Sequence, residues 1–469
     1  MRKLRMKGGL RVKWESRPTA PIEALFTPSR LRLPVKTLRF HFSEIKVAAG
    51  DRVRAGQELA CAPDASNAPL LAPLGGTVSF ETGKKNRVEA ICLDDLEPRE
   101  PSRDERPEPP NHFQAETQHL EIRRRFIEGG GWHMIGTFPD VGPADPQTQP
   151  SGVVISCVKT EPFLPRGHAL LKNNLREFSV GLETLQRMLG GYESIHMVVG
   201  PPGDTDLAAQ LKEHCRGYAW LQVHELSPTY PHDHPAAILQ SLGTRATKEQ
   251  PYWCIWTEGV LALHRIVVTE RPALKRVYAL GGPGVRRPCH VYGYPGTPIK
   301  ELLAGRLADN NGDYCYVKGG IFTGQEVDPE TASLDAEDEA VNVLDRGAYR
   351  RMLGWLRPGA RDHSVTRAFL STFLPGLPKR LTARVGGEGR ACVQCGSCED
   401  VCPIDNLMPY LFHRYLPLEM IDEMEKAGVW LCIECGCCSY VCPSKIPLLS
   451  EIKQGKHVIL EELAEMEED

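Results

Sequence analysis

Eight of the 16 cysteines stand in two sets with one spacing: Cys392, Cys395, Cys398, Cys402 and then Cys432, Cys435, Cys438, Cys442. Each set reads C-x-x-C-x-x-C-x-x-x-C-P and closes on Pro403 or Pro443. Three thiolates two residues apart fit three corners of an iron–sulfur cube. In two-cluster proteins of this spacing the fourth thiolate ligates the other cluster. The pattern therefore predicts Cys392, Cys395, Cys398 and Cys442 around one [4Fe–4S] cluster. Cys432, Cys435, Cys438 and Cys402 would hold the second. Zinc modules instead pair two C-x-x-C units across a longer gap, which explains this spacing poorly.

The other cysteines, Cys61, Cys92, Cys157, Cys215, Cys254, Cys289 and Cys315, have no ligand spacing and read as small buried hydrophobes. Cys437 lies inside the second motif and reads as a packing neighbour. Sixteen cysteines used this way fit a reducing, cytoplasmic compartment. The first residues lack the apolar core of a signal peptide. No apolar run approaches the roughly 18 residues that span a bilayer. The net charge is -4, and basic residues do not interleave with aromatics, so nucleic acid is not an expected partner. The 469 residues suggest about three domains or more. A basic N-terminal arm (Arg2, Lys3, Arg5, Lys7, Arg11, Lys13) and an acidic tail flank them. The arm reads as solvated, or as an attachment to anionic lipid or an acidic partner.

The elements that must position these cysteines follow from patterning. Residues 1–93 combine the arm with short β-runs and glycine turns resembling the barrel-sandwich, lipoyl-like fold. The segment 64–68, where a carrier lysine would sit, has none. Residues 94–113 are charged and proline-rich, a linker. Residues 114–270 alternate buried strands (153–157, 195–199, 220–223, 253–256) with helices such as 175–189, an α/β pattern with a largely parallel sheet. Residues 271–335 look like a β-grasp module, with Thr297 at a helix N-cap. Residues 336–385 read as a helical connector, including 342–356. Residues 386–469 hold the cysteine motifs, with helical pattern between them. The fold class expected is thus multidomain α/β plus β with an α-helical dicluster module.

Three places invite a nucleotide or metal. Gly129-Gly130-Gly131 and Gly200-Pro201-Pro202-Gly203 match neither phosphate-binding loop and read as tight turns. His232, Asp233 and His234 suggest a metal only if a third element supplies a ligand.

The string 432–449 resembles the RnfC subunit of the Rnf electron-transport complexes. The segments 151–165, 181–191, 227–239, 276–288 and 363–375 resemble the NqrA subunit of the sodium-translocating NADH:quinone oxidoreductases. The two families are themselves similar. Their shared architecture implies barrel-sandwich, Rossmann-like and β-grasp domains in the order read above. NqrA proteins generally lack the cluster cysteines, so keeping eight moves this chain toward the RnfC family. That relationship also implies a flavin loop of the type G-x-G-G-A-G-F-P. Here the matching position reads Gly129-Gly130-Gly131-Trp132-His133-Met134, where Trp132 is bulky. Glu161-Pro162 does resemble the Glu-Pro of the flavin pocket. The resemblance implies a peripheral cytoplasmic electron-transfer subunit bound to membrane subunits. Two alternatives follow from the same residues. One is an NADH-oxidising FMN subunit of such a complex; ferredoxin or flavoprotein subunits are further partners of the electron-transfer subunit. The other is a docking or quinone-associated scaffold.

Overall fold

The computed structural model describes residues 2–11, 14, 17–23, 26–64, 66–83, 87–97, 118–139, 142–165, 167–191, 194–200, 207–309, 311–346, 372–373 and 391–468. Four sheets organise them.

A seven-stranded sheet runs in the order Arg2–Lys3, Leu221–Glu225, Ile195–Val199, Gly152–Ser156, Tyr252–Trp256, Ile135–Phe138, Gly142–Pro143. The first five strands are parallel, and the last two turn antiparallel. Strands buried on both faces need continuous apolar runs, which explains sequences such as GVVIS and IHMVV. The helix Leu175–Met188 covers one face with Phe178, Leu182 and Leu185. It ends where Gly190 and Gly191 take positive φ, 74° and 83°, a conformation open to glycine.

A six-stranded mixed sheet runs Gln325–Val327, Tyr314–Lys318, Ala340–Asp345, Arg276–Gly281, Cys289–Gly293, Thr19–Glu23. A four-stranded sheet (Leu31–Pro34, Val88–Glu97, Gly75–Thr82, Arg52–Val53) and a three-stranded one (Glu44–Ile45, Glu58–Cys61, Pro69–Leu71) share a core with Leu31, Leu59 and Ile91.

Four expectations are corrected. The basic N-terminal residues are not a free arm: Arg2–Lys3 adds a parallel strand beside Leu221–Glu225. Thr19–Glu23 pairs with Cys289–Gly293, so this segment of 1–93 joins the six-stranded sheet. The expected helix at 342–356 begins as a strand, Ala340–Asp345, paired on both sides. The linker expected from 94 begins later, because the strand Val88–Glu97 carries pairing to its end. At the smaller scale, Thr297 is no N-cap. Its buried hydroxyl donates to the Tyr294 carbonyl at 2.7 Å, and the helix is Ile299–Leu303. The rest of the expected linker (98–113), the turn at 201–203 and most of the connector expected over 336–385 (347–371 and 374–385) lie outside the described residues.

Among the described residues no helix is long and apolar enough to cross a membrane.

Candidate iron–sulfur module and its junction

The two cysteine motifs fold as copies of one another. Gln394 and Glu434 both take φ 54°. Gly396 and Gly436 follow at φ 74° and 72°, each leading into a short helix, Ser397–Val401 and Cys437–Val441. Cys402 and Cys442 then leave those helices in extended conformation. Pro403 and Pro443 come next, and a residue before proline is biased to that conformation. The left-handed turns bring backbone N–H groups toward sulfur. Gln394 N–H lies 3.4 Å from Cys392 Sγ. In the second copy the Glu434 N–H serves the Cys432 thiol in the same way. At Cys432 burial raises the thiol to about 12, and this donor opposes the shift.

Cys392, Cys395, Cys398 and Cys442 line one cavity of about 380 Å³, together with Tyr410 and His413. Cys392 and Cys395 are exposed, while Cys442 is buried. Burial, with the neighbouring Cys395 and Cys442 thiols adding to it, raises the Cys398 thiol to about 11. The other four cysteines also neighbour one another. Burial raises the Cys402 thiol to about 11, and Cys435 contributes. Burial also raises Cys438, with Cys435 and Cys432 both acting on it. Among the described residues no three His, Cys, Asp or Glu side chains gather closely enough to hold one metal ion. A cube spreads its four ligands over four iron atoms, so a roomy cavity with thiols at its walls fits that donor set better than a single ion.

The second motif is packed into the rest of the chain. Cys437 is buried in a core with Trp14, Phe163, Tyr230, Phe322 and Val441. Tyr230 and Phe322 stack with ring centroids 4.9 Å apart, and Trp14 meets Phe322 and Tyr440 at 5.6 Å each. The Tyr230 hydroxyl donates to the Cys435 carbonyl at 2.7 Å. This aromatic layer excludes water from one side of the second loop.

Glu161 sits at the same junction. Its carboxylate accepts from the backbone N–H groups of Phe322 (2.8 Å) and Thr323 (3.1 Å) and from the Thr323 hydroxyl (2.8 Å). Burial raises it to about 7, although these donors oppose the shift. It clamps the turn of the six-stranded sheet to the α/β sheet. The three residues 232–234 do not converge on a metal. The His232 imidazole reaches the carbonyls of Lys7 and Gly8 at 3.2 Å each. Asp233 accepts from the Thr160 N–H (3.1 Å) and hydroxyl, and His234 caps the helix Pro235–Leu242 by accepting from Ala236 N–H at 3.2 Å.

In the seven-stranded sheet, strand order reverses between Gly152–Ser156 and Tyr252–Trp256, the place where open α/β sheets form ligand crevices. A cavity of about 110 Å³ lies there, walled by Ser156, Lys159, Trp256, Arg276 and Glu339 among others. Glu161 is not among its walls. Ligand pockets usually begin near roughly 300 Å³. Trp132 is buried, with its indole N–H donating to the Ala144 carbonyl at 2.6 Å. A Cβ on Gly129 would meet Ile266 at 2.3 Å, and one on Gly131 would meet Phe126 at 2.4 Å. These glycines are closed by side-chain packing, and the N–H groups of Gly129, Gly130 and Gly131 donate to the carbonyls of Arg125, Ile127 and Phe126.

Sequence reasoning missed the N-terminal segment and Tyr230. The pair Gly8-Gly9, adjacent and both at positive φ, was the available signal of close backbone approach.

Residues 117–271 match the family model described as the NqrA second alpha/beta domain. Residues 388–446 match that of a 4Fe-4S dicluster domain. The NqrA subunit of the Na(+)-translocating NADH-quinone reductase of Neisseria gonorrhoeae (strain NCCP11945) is 26% identical over 385 residues, covering 82% of each chain. That of Pseudomonas aeruginosa (strain UCBPP-PA14) is 26% identical over 434 residues, covering 91% of this chain and 92% of the relative. Among solved structures, an NAD+-reducing [NiFe]-hydrogenase in the H2-reduced state superposes with a TM-score of 0.39 at 16% identity, covering 50% of this chain and 48% of that one. The chain is thus similar along most of its length to the NqrA subunit of Na(+)-translocating NADH-quinone reductases, and it carries a 4Fe-4S dicluster domain at residues 388–446.

Proposed function

We propose that the chain is a peripheral, cytoplasmic electron-transfer subunit of a membrane-bound, ion-translocating NADH:quinone reductase or Rnf-type complex. Two [4Fe–4S] clusters would be its redox groups, held crosswise by Cys392, Cys395, Cys398, Cys442 and by Cys432, Cys435, Cys438, Cys402. The observation that carries this reading is the cavity whose cysteine walls are three ligands of the first motif and the last of the second. When bound, each cluster accepts and releases one electron. The chain's own residues set its surroundings: backbone N–H groups face the thiols, the aromatic layer dries one side of the second loop, and the first loop lies open to solvent. An exposed loop suits electron exchange with another protein; one covered on one side suits exchange within the chain. The α/β and two β-rich parts, read as Rossmann-like, barrel-sandwich and β-grasp domains, hold the module and supply docking surface.

The relatives are named as parts of a Na(+)-translocating NADH-quinone reductase, which supports membrane-embedded partners. The decisive experiment is an anaerobic pull-down of the tagged full chain from membranes, with iron, acid-released flavin and partners measured on one sample. Iron-loaded chain recovered with integral membrane redox subunits and without stoichiometric flavin is expected. Iron-loaded chain without any membrane partner would overturn the assignment to such a complex.

A further inference from the structure

The segment 7–10 crosses from the seven-stranded sheet to the cysteine module. Gly9 N–H donates to the Val401 carbonyl at 2.8 Å. Leu10 and Tyr230 exchange both backbone hydrogen bonds, at 2.7 and 3.0 Å. His232 fixes the Lys7 and Gly8 carbonyls from the other side. Gly8, at φ 61°, leaves no room for a side chain: a Cβ there would lie 2.5 Å from the carbonyl oxygens of both Val401 and Cys402. Those are backbone atoms, so any larger residue must move the loop that carries Cys402.

A second hold acts on Cys435, through the hydrogen bond from Tyr230 to its carbonyl. Cys402 and Cys435 come from different motifs but belong to the same expected ligand set. Tyr230 thus touches both holds, since its backbone pairs with the segment and its hydroxyl reaches Cys435. Among the described residues, the cavity of the other set is walled only by positions 392–448 of the module itself.

We propose that the segment 7–10 and Tyr230 are positioning elements for the second [4Fe–4S] cluster alone. They fix the backbone at two of its four ligands, Cys402 and Cys435, against the α/β sheet, so that this cluster forms only when the N-terminal segment is seated. The first cluster is built from the module by itself. The inference rests on the two-cluster reading above.

The test uses the full chain, purified anaerobically, with iron content and EPR of the dithionite-reduced protein. A Cys432→Ser variant identifies the signal of the second cluster. Gly8→Val should drop iron to about half of the wild-type content, by the two-cluster count, and remove that signal while the other persists. Tyr230→Phe, which removes one hydroxyl, should keep iron but alter the linewidth or g-values of the same signal only. Gly50→Ala is the control: it is also at positive φ, yet nothing lies within 4 Å of its Cβ position, and both signals should remain. Both signals unchanged in Gly8→Val, or lost alike, would overturn the proposal. If Gly8→Val does not accumulate, an unchanged second signal in Tyr230→Phe overturns it. Wild-type protein without iron would instead overturn the two-cluster reading and this inference with it.

Discussion

Glu161 shows how one side chain can take a structural role in a place that suggests a cofactor. It stands where a Glu-Pro pair resembles a flavin pocket, but its carboxylate is occupied by Phe322 and Thr323. Glu161→Ala would leave two backbone N–H groups at this junction without an acceptor. The expected loss is about 1–3 kcal/mol, with Glu161→Gln losing less because one acceptor oxygen remains. Urea unfolding of the two variants against wild type checks the order; equal stability of all three would contradict the clamp. At the same scale, Cys402→Ser should abolish the same EPR signal that Cys432→Ser abolishes and spare the other. Loss of the other signal would show that each motif serves its own cluster. The eight cysteines were legible because coordination number and spacing constrain one another. The role of Glu161 was not, because its partners Phe322 and Thr323 lie far along the chain and nothing local announces them.

The elements carry their own test at the edge of the seven-stranded sheet. His196 Nδ1 and His224 Nε2 lie 3.2 Å apart on adjacent strands, and His224 stands opposite Arg2 in the register. Burial first, then His196 and Arg2, lower His224 from 6.5 to about 4. A base whose folded pKa is depressed binds fewer protons folded than unfolded. Its contribution is complete above the unfolded value and is lost as pH falls from 6.5 toward about 4. Hydrogen exchange at residues 221–225 should therefore accelerate, beyond the intrinsic pH effect, across that window, and His224→Gln should flatten the change. A wild-type profile identical to the variant's would contradict it. Element type was legible where periodicity was strong: strands at 195–199 and the helix Leu175–Met188. It failed at 340–345, where the apolar residues also fitted a helical count. There the chain is paired on both edges, and the buried Asn342 amide donates to the Gly319 carbonyl at 2.7 Å. Long-range pairing overrode local preference. The same limit hid the strand Arg2–Lys3, two charged residues whose partners are His224 and Glu225.

At the scale of the whole molecule, three parts of the chain meet around the second cysteine motif, while the first faces outward. This asymmetry is invisible in the sequence, where the motifs are near copies. It arises from tertiary contacts of Trp14, Tyr230 and Phe322, which no spacing rule encodes. That eight cysteines hold two clusters is the claim on which the rest depends, and metal content tests it most directly. Anaerobically purified full-length chain, assayed for iron, acid-labile sulfide and zinc, should contain about eight irons and eight sulfides with no stoichiometric zinc. Iron near zero after proper reconstitution, or zinc in its place, would contradict two clusters.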